Sequence, residues 1–145
     1  MTLKASMAAV AVGVVFLVAP LRAATVAKKI TWANETTIPV NLVSEGVQIK
    51  EVRFAVEGGM NWNPLRAGVG PQCYVTINNT ADHPMHLSVA VALFDAAGDL
   101  IAATEAGHLG QLNPAEPGEM KLTFREVKRR FFDAKTAQIA LETWK

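Results

Sequence analysis

The sequence predicts an all-β domain, a sandwich of two antiparallel sheets built from seven to eight short strands. Short segments with alternating apolar and polar residues recur along the chain, and turn-forming residues separate them. This pattern is typical of an immunoglobulin-like β-sandwich and not of an α/β fold, which would need repeated amphipathic helices. One short helical turn is expected before the last strand. The 145 residues are enough for one domain.

The amino end predicts export. Lys4 supplies a positive start, Met7–Ala19 is an uninterrupted apolar run, and the small residues Ala23 and Ala24 follow it. We therefore interpret residues 1–24 as a signal-peptide helix and residues 25–145 as the β-sandwich domain. A membrane span needs about 20 apolar residues, so no stable span is expected after cleavage. An uncleaved anchor is the alternative.

The charge and the cysteine content argue against some kinds of function and structure for this chain. Without residues 1–24 the chain holds 12 basic and 13 acidic side chains, so no general attraction to nucleic acid is expected. A single cysteine, Cys73, excludes an internal disulfide. Cys73 is in phase with Val75 and Ile77, which predicts a buried, inert thiol. An intermolecular disulfide or a metal thiolate is the alternative.

The first strands are predicted from short alternating segments. Residues 30–32 and 38–42 indicate two strands, and Pro39 places the second at a sheet edge because proline cannot donate a ladder hydrogen bond. In residues 47–56 the apolar phase changes. A β-bulge near Lys50–Glu51 would restore the phase, and two strands separated by a kink would also explain it.

A long segment rich in glycine and proline, residues 57–72, is predicted to be a loop. Loops of this length are uncommon inside compact domains and often have a function. Met60 and Trp62 give it apolar content. The loop is therefore expected either to pack over one end of the sandwich or to bind a partner.

The centre of the domain, residues 73–105, is interpreted as strand, loop, strand, tight turn and strand. In the middle strand one face is uniformly Leu or Val and is expected to face the core. Gly98 can adopt the positive φ that the following hairpin turn needs. After a crossover at residues 106–118, residues 120–124 alternate as another strand. Residues 125–134 are expected to form the helical turn, and residues 136–143 the last strand.

Several short motifs resemble the FxLyD-type modules of exported bacterial proteins. They are YVTINN at Tyr74–Asn79, VALFD at Val91–Asp95, the turn residue Gly98, and Leu112–Phe124, which ends LNPAEPGEMKLTF. In VALFD, valine and phenylalanine stand where the family usually has phenylalanine and tyrosine. The resemblance covers about half of the mature chain. It implies an immunoglobulin-like sandwich in the periplasm or outside a bacterial cell, and it implies no catalytic residues.

The Asp82–His86 loop carries three candidate metal ligands, His83, Met85 and His86. Imidazole and thioether groups are ligands that copper favours, so a periplasmic copper-binding protein is the alternative function. A solvated loop with no ligand explains the same residues.

A basic cluster near the end of the chain is a candidate docking surface. Such a patch could bind an acidic envelope protein or an anionic polymer, although charge runs are often solvated faces. With Met60 and Trp62 of the long loop, the expected partner-binding residues are Arg125, Lys128, Arg129 and Arg130, and Lys121 and Lys135 belong to the same cluster.

No catalytic motif is recognisable. The chain has no G-x-S-x-G, no H-E-x-x-H and no phosphate-binding glycine loop. The sequence therefore predicts an exported module that is not an enzyme, needs no cofactor and binds another macromolecule of the cell envelope. The oligomeric state does not follow from the sequence.

Overall fold

The computed structural model describes residues 23–58, 69–125, 127 and 129–145. These residues form eight strands and one 3-10 turn, so the all-β prediction is confirmed. Residues 1–22 of the predicted signal peptide lie outside the described residues, whereas Ala24, its predicted last residue, begins β1. The strands are β1 (Ala24–Thr31), β2 (Thr37–Ser44), β3 (Val47–Glu57), β4 (Gly70–Asn79), β5 (His86–Phe94), β6 (Leu100–Gly107), β7 (Pro117–Thr123) and β8 (Thr136–Trp144), and the 3-10 turn is Arg130–Asp133.

The strands form two antiparallel sheets of four. One sheet has the order β1-β8-β5-β6 and the other the order β2-β3-β4-β7. Between them lies one hydrophobic core, to which every strand but the edge strand β6 contributes buried side chains. The chain crosses from one sheet to the other four times, after β1, β4, β6 and β7. The result is a β-sandwich architecture.

The phase change in β3 is a β-bulge. Residues Val47–Glu57 form a single strand, and its register against β4 shifts between Ile49 and Glu51. The interpretation as two separate strands is therefore wrong. Pro39 lies on β2, at the edge of its sheet, as predicted.

The long loop is shorter than predicted at both ends. Glu57 still belongs to β3, and β4 begins at Gly70, with Pro71 and Gln72 inside the strand. Gln72 is fully buried, and Phe124 donates its backbone N–H to the Pro71 carbonyl at 2.9 Å. Pairing with β3 thus overrides the turn-forming composition. Met60 and Trp62 lie outside the described residues.

The central predictions hold. The Leu87, Val89, Val91 and Leu93 side chains all face the core, and Gly98 has a φ of 85° in the β5–β6 turn. Cys73 is fully buried, and this burial raises the pKa of its thiol. A raised pKa disfavours the thiolate that metal binding or disulfide exchange requires.

The helical turn before the last strand is confirmed, and it closes one end of the sandwich. It is shorter than the predicted 125–134 segment, and of the buried residues Val127, Phe131 and Ala134 only Phe131 lies within it. The Phe131 ring packs edge-on against Trp32, with 5.3 Å between ring centroids.

Asn79, the last residue of β4, fixes the opposite end. Its side-chain N–H groups donate to the His83 carbonyl at 3.0 Å and to the Leu112 carbonyl at 2.8 Å, and its Oδ1 accepts from the Ala81 N–H at 2.9 Å. The Asn79 backbone carbonyl accepts from the Ala115 N–H at 2.8 Å. One buried residue therefore holds both the β4–β5 and the β6–β7 crossovers.

We expect Asn79→Ala to lower the free energy of unfolding by about 2–4 kcal/mol, because the His83 carbonyl and the Ala81 N–H lose their side-chain partner and the Leu112 carbonyl keeps only its bond from Met85. Urea denaturation followed by tryptophan fluorescence measures this. Asn78→Ala, one residue earlier and on the half-buried side of β4, is the matched control, and we expect a change within about 0.5 kcal/mol. Equal losses in the two variants would contradict the role given to Asn79.

Candidate functional site

The three predicted metal ligands do not converge. Met85 is fully buried in the core, where its backbone pairs with that of Leu112. His86, the next residue, lies on the outer face of β5, and its ring stacks on Trp144 with 5.6 Å between centroids. Because successive residues of a strand point to opposite faces, the Met85 sulfur and the His86 ring cannot bind the same ion.

His83 is paired locally. Its Nδ1 lies 2.7 Å from Asp82 Oδ1, and this hydrogen bond holds the pKa of the Asp82 carboxyl below its usual range. Its Nε2 is buried without a hydrogen-bond partner. Within the described parts of the chain, no three His, Cys, Asp or Glu side chains are grouped as a metal site would need. Copper binding by His83 and His86 remains a prediction.

We expect Met85→Leu to leave the Cu(I) titration of the mature protein unchanged, because the thioether faces the core and leucine fills a similar volume. His83→Ala with His86→Ala is the comparison variant and removes any affinity that the loop has. Loss of Cu(I) affinity in Met85→Leu, with unchanged thermal unfolding, would show that the sulfur is a ligand after all.

The predicted basic cluster separates into two groups. Arg130 has a structural role, since its guanidinium lies 2.9 Å from Asp95 Oδ2 and 3.7 Å from Asp133 Oδ2. Arg125 and Arg129 are exposed, and neither forms an ion pair with another described residue. Lys128 lies outside the described residues.

A cleft lies on the open side of the sandwich, where β6 and β7 are the outermost strands of their sheets. It has a volume of about 640 Å³. Residues 101–106 form one wall and residues 121–125 with Val127 form the other. Thr104 crosses between the walls and donates its hydroxyl to the Thr123 carbonyl at 3.0 Å. This β6–β7 cleft brings the predicted basic residue Arg125 next to a sheet edge.

A row of cationic and aromatic side chains crosses the outer face of the β2-β3-β4-β7 sheet. This row was not predicted from the sequence. Arg53, Tyr74 and Lys121 are register partners on β3, β4 and β7. The Arg53 guanidinium lies 4.6 Å and the Lys121 Nζ 5.8 Å from the centre of the Tyr74 ring. The Tyr74 hydroxyl donates to Glu57, and Arg53 also pairs with Glu35 at 3.1 Å. The pairing with Glu57 and Glu35 therefore leaves little charge for a ligand at Arg53 and Tyr74.

Tyr74 is the only tyrosine of the chain, so its pKa can be measured to test the contacts within this row. Desolvation, followed by the hydrogen bond to Glu57, raises the pKa of Tyr74 to about 12. The folded state therefore favours the neutral phenol, and the stability linked to it is lost as the pH rises through the range from about 10 to about 12.

We expect tyrosinate absorbance at 295 nm to give a pKa of about 12 in the folded protein and about 10 in guanidinium chloride. Glu57→Gln should lower the folded value, because it removes the negative charge that opposes ionisation. Glu51→Gln, on the same strand, is the control. A folded-state pKa of about 10 in the unmutated protein would refute this account of the row.

Comparison with protein-family models gave no match, and comparison with curated proteins gave none either. In the part of the chain that the structure describes, no helix is long and apolar enough to cross a membrane.

Proposed function

We propose that the protein is an exported, non-catalytic β-sandwich module that binds another macromolecule of the bacterial cell envelope. The apolar run at Met7–Ala19 supports export, and the absence of catalytic motifs from the sequence supports a binding role. The partner class is an envelope protein or an anionic polymer.

The observation that carries this proposal is the β6–β7 cleft. It combines a sheet edge, the exposed side chain of Arg125 and the basic Lys121 in one concave surface. Concave surfaces with a few convergent polar groups are the usual binding places on a rigid scaffold. Arg129 is also exposed, but it is not among the residues that line the cleft.

The FxLyD-type, immunoglobulin-like assignment is part of the same proposal. It is supported by the places that the shared motifs occupy. YVTINN ends at Asn79, which fixes both crossovers, and VALFD ends at Asp95, whose carboxylate accepts from the Ala97 and Asp99 N–H groups and from Arg130. Motifs that hold turns and crossovers are needed for the fold itself. Members of such a family can therefore share these motifs and still differ in their surface residues.

Chemical crosslinking of the mature protein in the envelope of the cells that make it tests the binding role. An amine-reactive reagent is suitable because exposed lysines lie on several faces, for example Lys29, Lys50 and Lys121. We expect a covalent adduct with another envelope macromolecule. Recovery of the uncrosslinked monomer alone, under conditions that trap a known envelope complex, would refute the proposal.

A further inference from the structure

The four outermost strands differ in how well they are protected against pairing with another chain. Lysine and proline residues and β-bulges are the usual protection of such edges. β1 carries Lys28 and Lys29, β2 has Pro39 and a register shift, and β7 has Pro117 and Lys121. β6 reads LIAATEAG, with neither proline nor lysine.

β6 is also regular over most of its length. Its register against β5 is irregular only near the β5–β6 turn, at Leu93/Phe94. From Ala102 to Gly107 the pairing continues without a shift, and six residues of strand span about 20 Å. This length is enough to pair with one more strand.

The direction in which the outer backbone groups of β6 point follows from one hydrogen bond. His108 donates its N–H to the Leu87 carbonyl at 2.9 Å, and the two residues continue the β5–β6 register. In an antiparallel pair, residues that bond to the partner strand alternate with residues whose groups point away from it. The N–H and C=O groups of Ala103, Glu105 and Gly107 therefore point away from β5, toward the open side.

The β6–β7 cleft lies beside these groups, and its β7 wall is more positively charged than its β6 wall. Lys121 and Arg125 stand on the β7 side, and Glu105 is the one charged residue of β6. Lys121 contacts the Tyr74 ring, whereas Arg125 is exposed and has no ion pair with any other described residue. A chain lying along β6 would place alternate side chains toward this basic wall, where carboxylates are favoured.

We propose that β6 pairs with an extended, acidic segment of a partner protein, which becomes the fifth strand of the β1-β8-β5-β6 sheet. Backbone hydrogen bonds to Ala103, Glu105 and Gly107 provide the affinity, and a carboxylate that reaches Arg125 provides the selectivity. This inference rests on the proposed binding function and specifies its partner as a protein segment and not a polymer.

Site-specific photo-crosslinking in the native envelope tests the pairing. A photoreactive amino acid replaces Glu105 on β6 or, as the matched control, Lys29 on β1 at the other edge of the same sheet. Mass spectrometry then identifies the attached peptide. We expect Glu105 to capture an acidic, extended segment of one envelope protein, and Lys29 not to capture it.

Two pairs of variants refine the test. Ala103→Pro removes an N–H that points to the open side and leaves the β5 pairing intact, whereas Ala103→Val keeps that N–H. We expect the yield at the Glu105 position to fall about tenfold in Ala103→Pro and to stay within about twofold in Ala103→Val. Arg125→Glu should lower the yield about fivefold, and Arg129→Glu, outside the cleft, by less than about twofold.

The outcomes separate this inference from the proposed function. If amine-reactive crosslinking yields an envelope adduct but the Glu105 position captures nothing, β6 is not the docking strand and the binding function stands. Capture of a second copy of this chain, of a basic segment or of a polymer would overturn the inference. Equal effects of Arg125→Glu and Arg129→Glu would overturn the role of the cleft charge, even if Ala103→Pro proved too unstable to compare.

Discussion

The buried amide of Asn79 is the constraint on which the rest of the fold depends. A side-chain amide removed from water must form its hydrogen bonds within the protein, since each unmet group costs about 1–3 kcal/mol. Asn79 meets this requirement only when the loop at His83 and the crossover at Leu112 lie on either side of it. Those two segments lead to β5 and β7, so the position of one sheet relative to the other is set at this residue.

The opposite end is held by a different combination. Asp95 accepts two N–H groups of the β5–β6 turn and the guanidinium of Arg130, which joins the hairpin to the 3-10 turn. Beneath it, Phe131 packs against Trp32 and Phe124. Apolar burial fills the middle of the sandwich, and polar side chains define its two ends. This division explains why Arg130, unlike Arg125, is held in ion pairs with described residues.

Much of the fold follows from the alternation of side chains, because a period of two reveals which residues face the core. The bulge at Lys50–Glu51 and the inward Cys73 were predictable in this way. Alternation also argues against Met85 as a metal ligand, because Met85 is in phase with Leu87 and therefore belongs to the core. What it cannot reveal is which strands are neighbours. The Arg53–Tyr74–Lys121 row and the position of β6 at an edge depend on sheet order, which long-range packing decides.

The position of β8 has a consequence for the order of folding. This strand is the last in sequence, yet it lies between β1 and β5 and pairs with both. β1 therefore has no neighbour in its own sheet until residues 136–144 have been synthesised. β5 and β6 can pair with each other earlier, but their sheet stays incomplete until β8 joins them to β1. Such a delay suits the proposed export, because a chain that cannot complete its tertiary structure early stays extended enough to be threaded across a membrane.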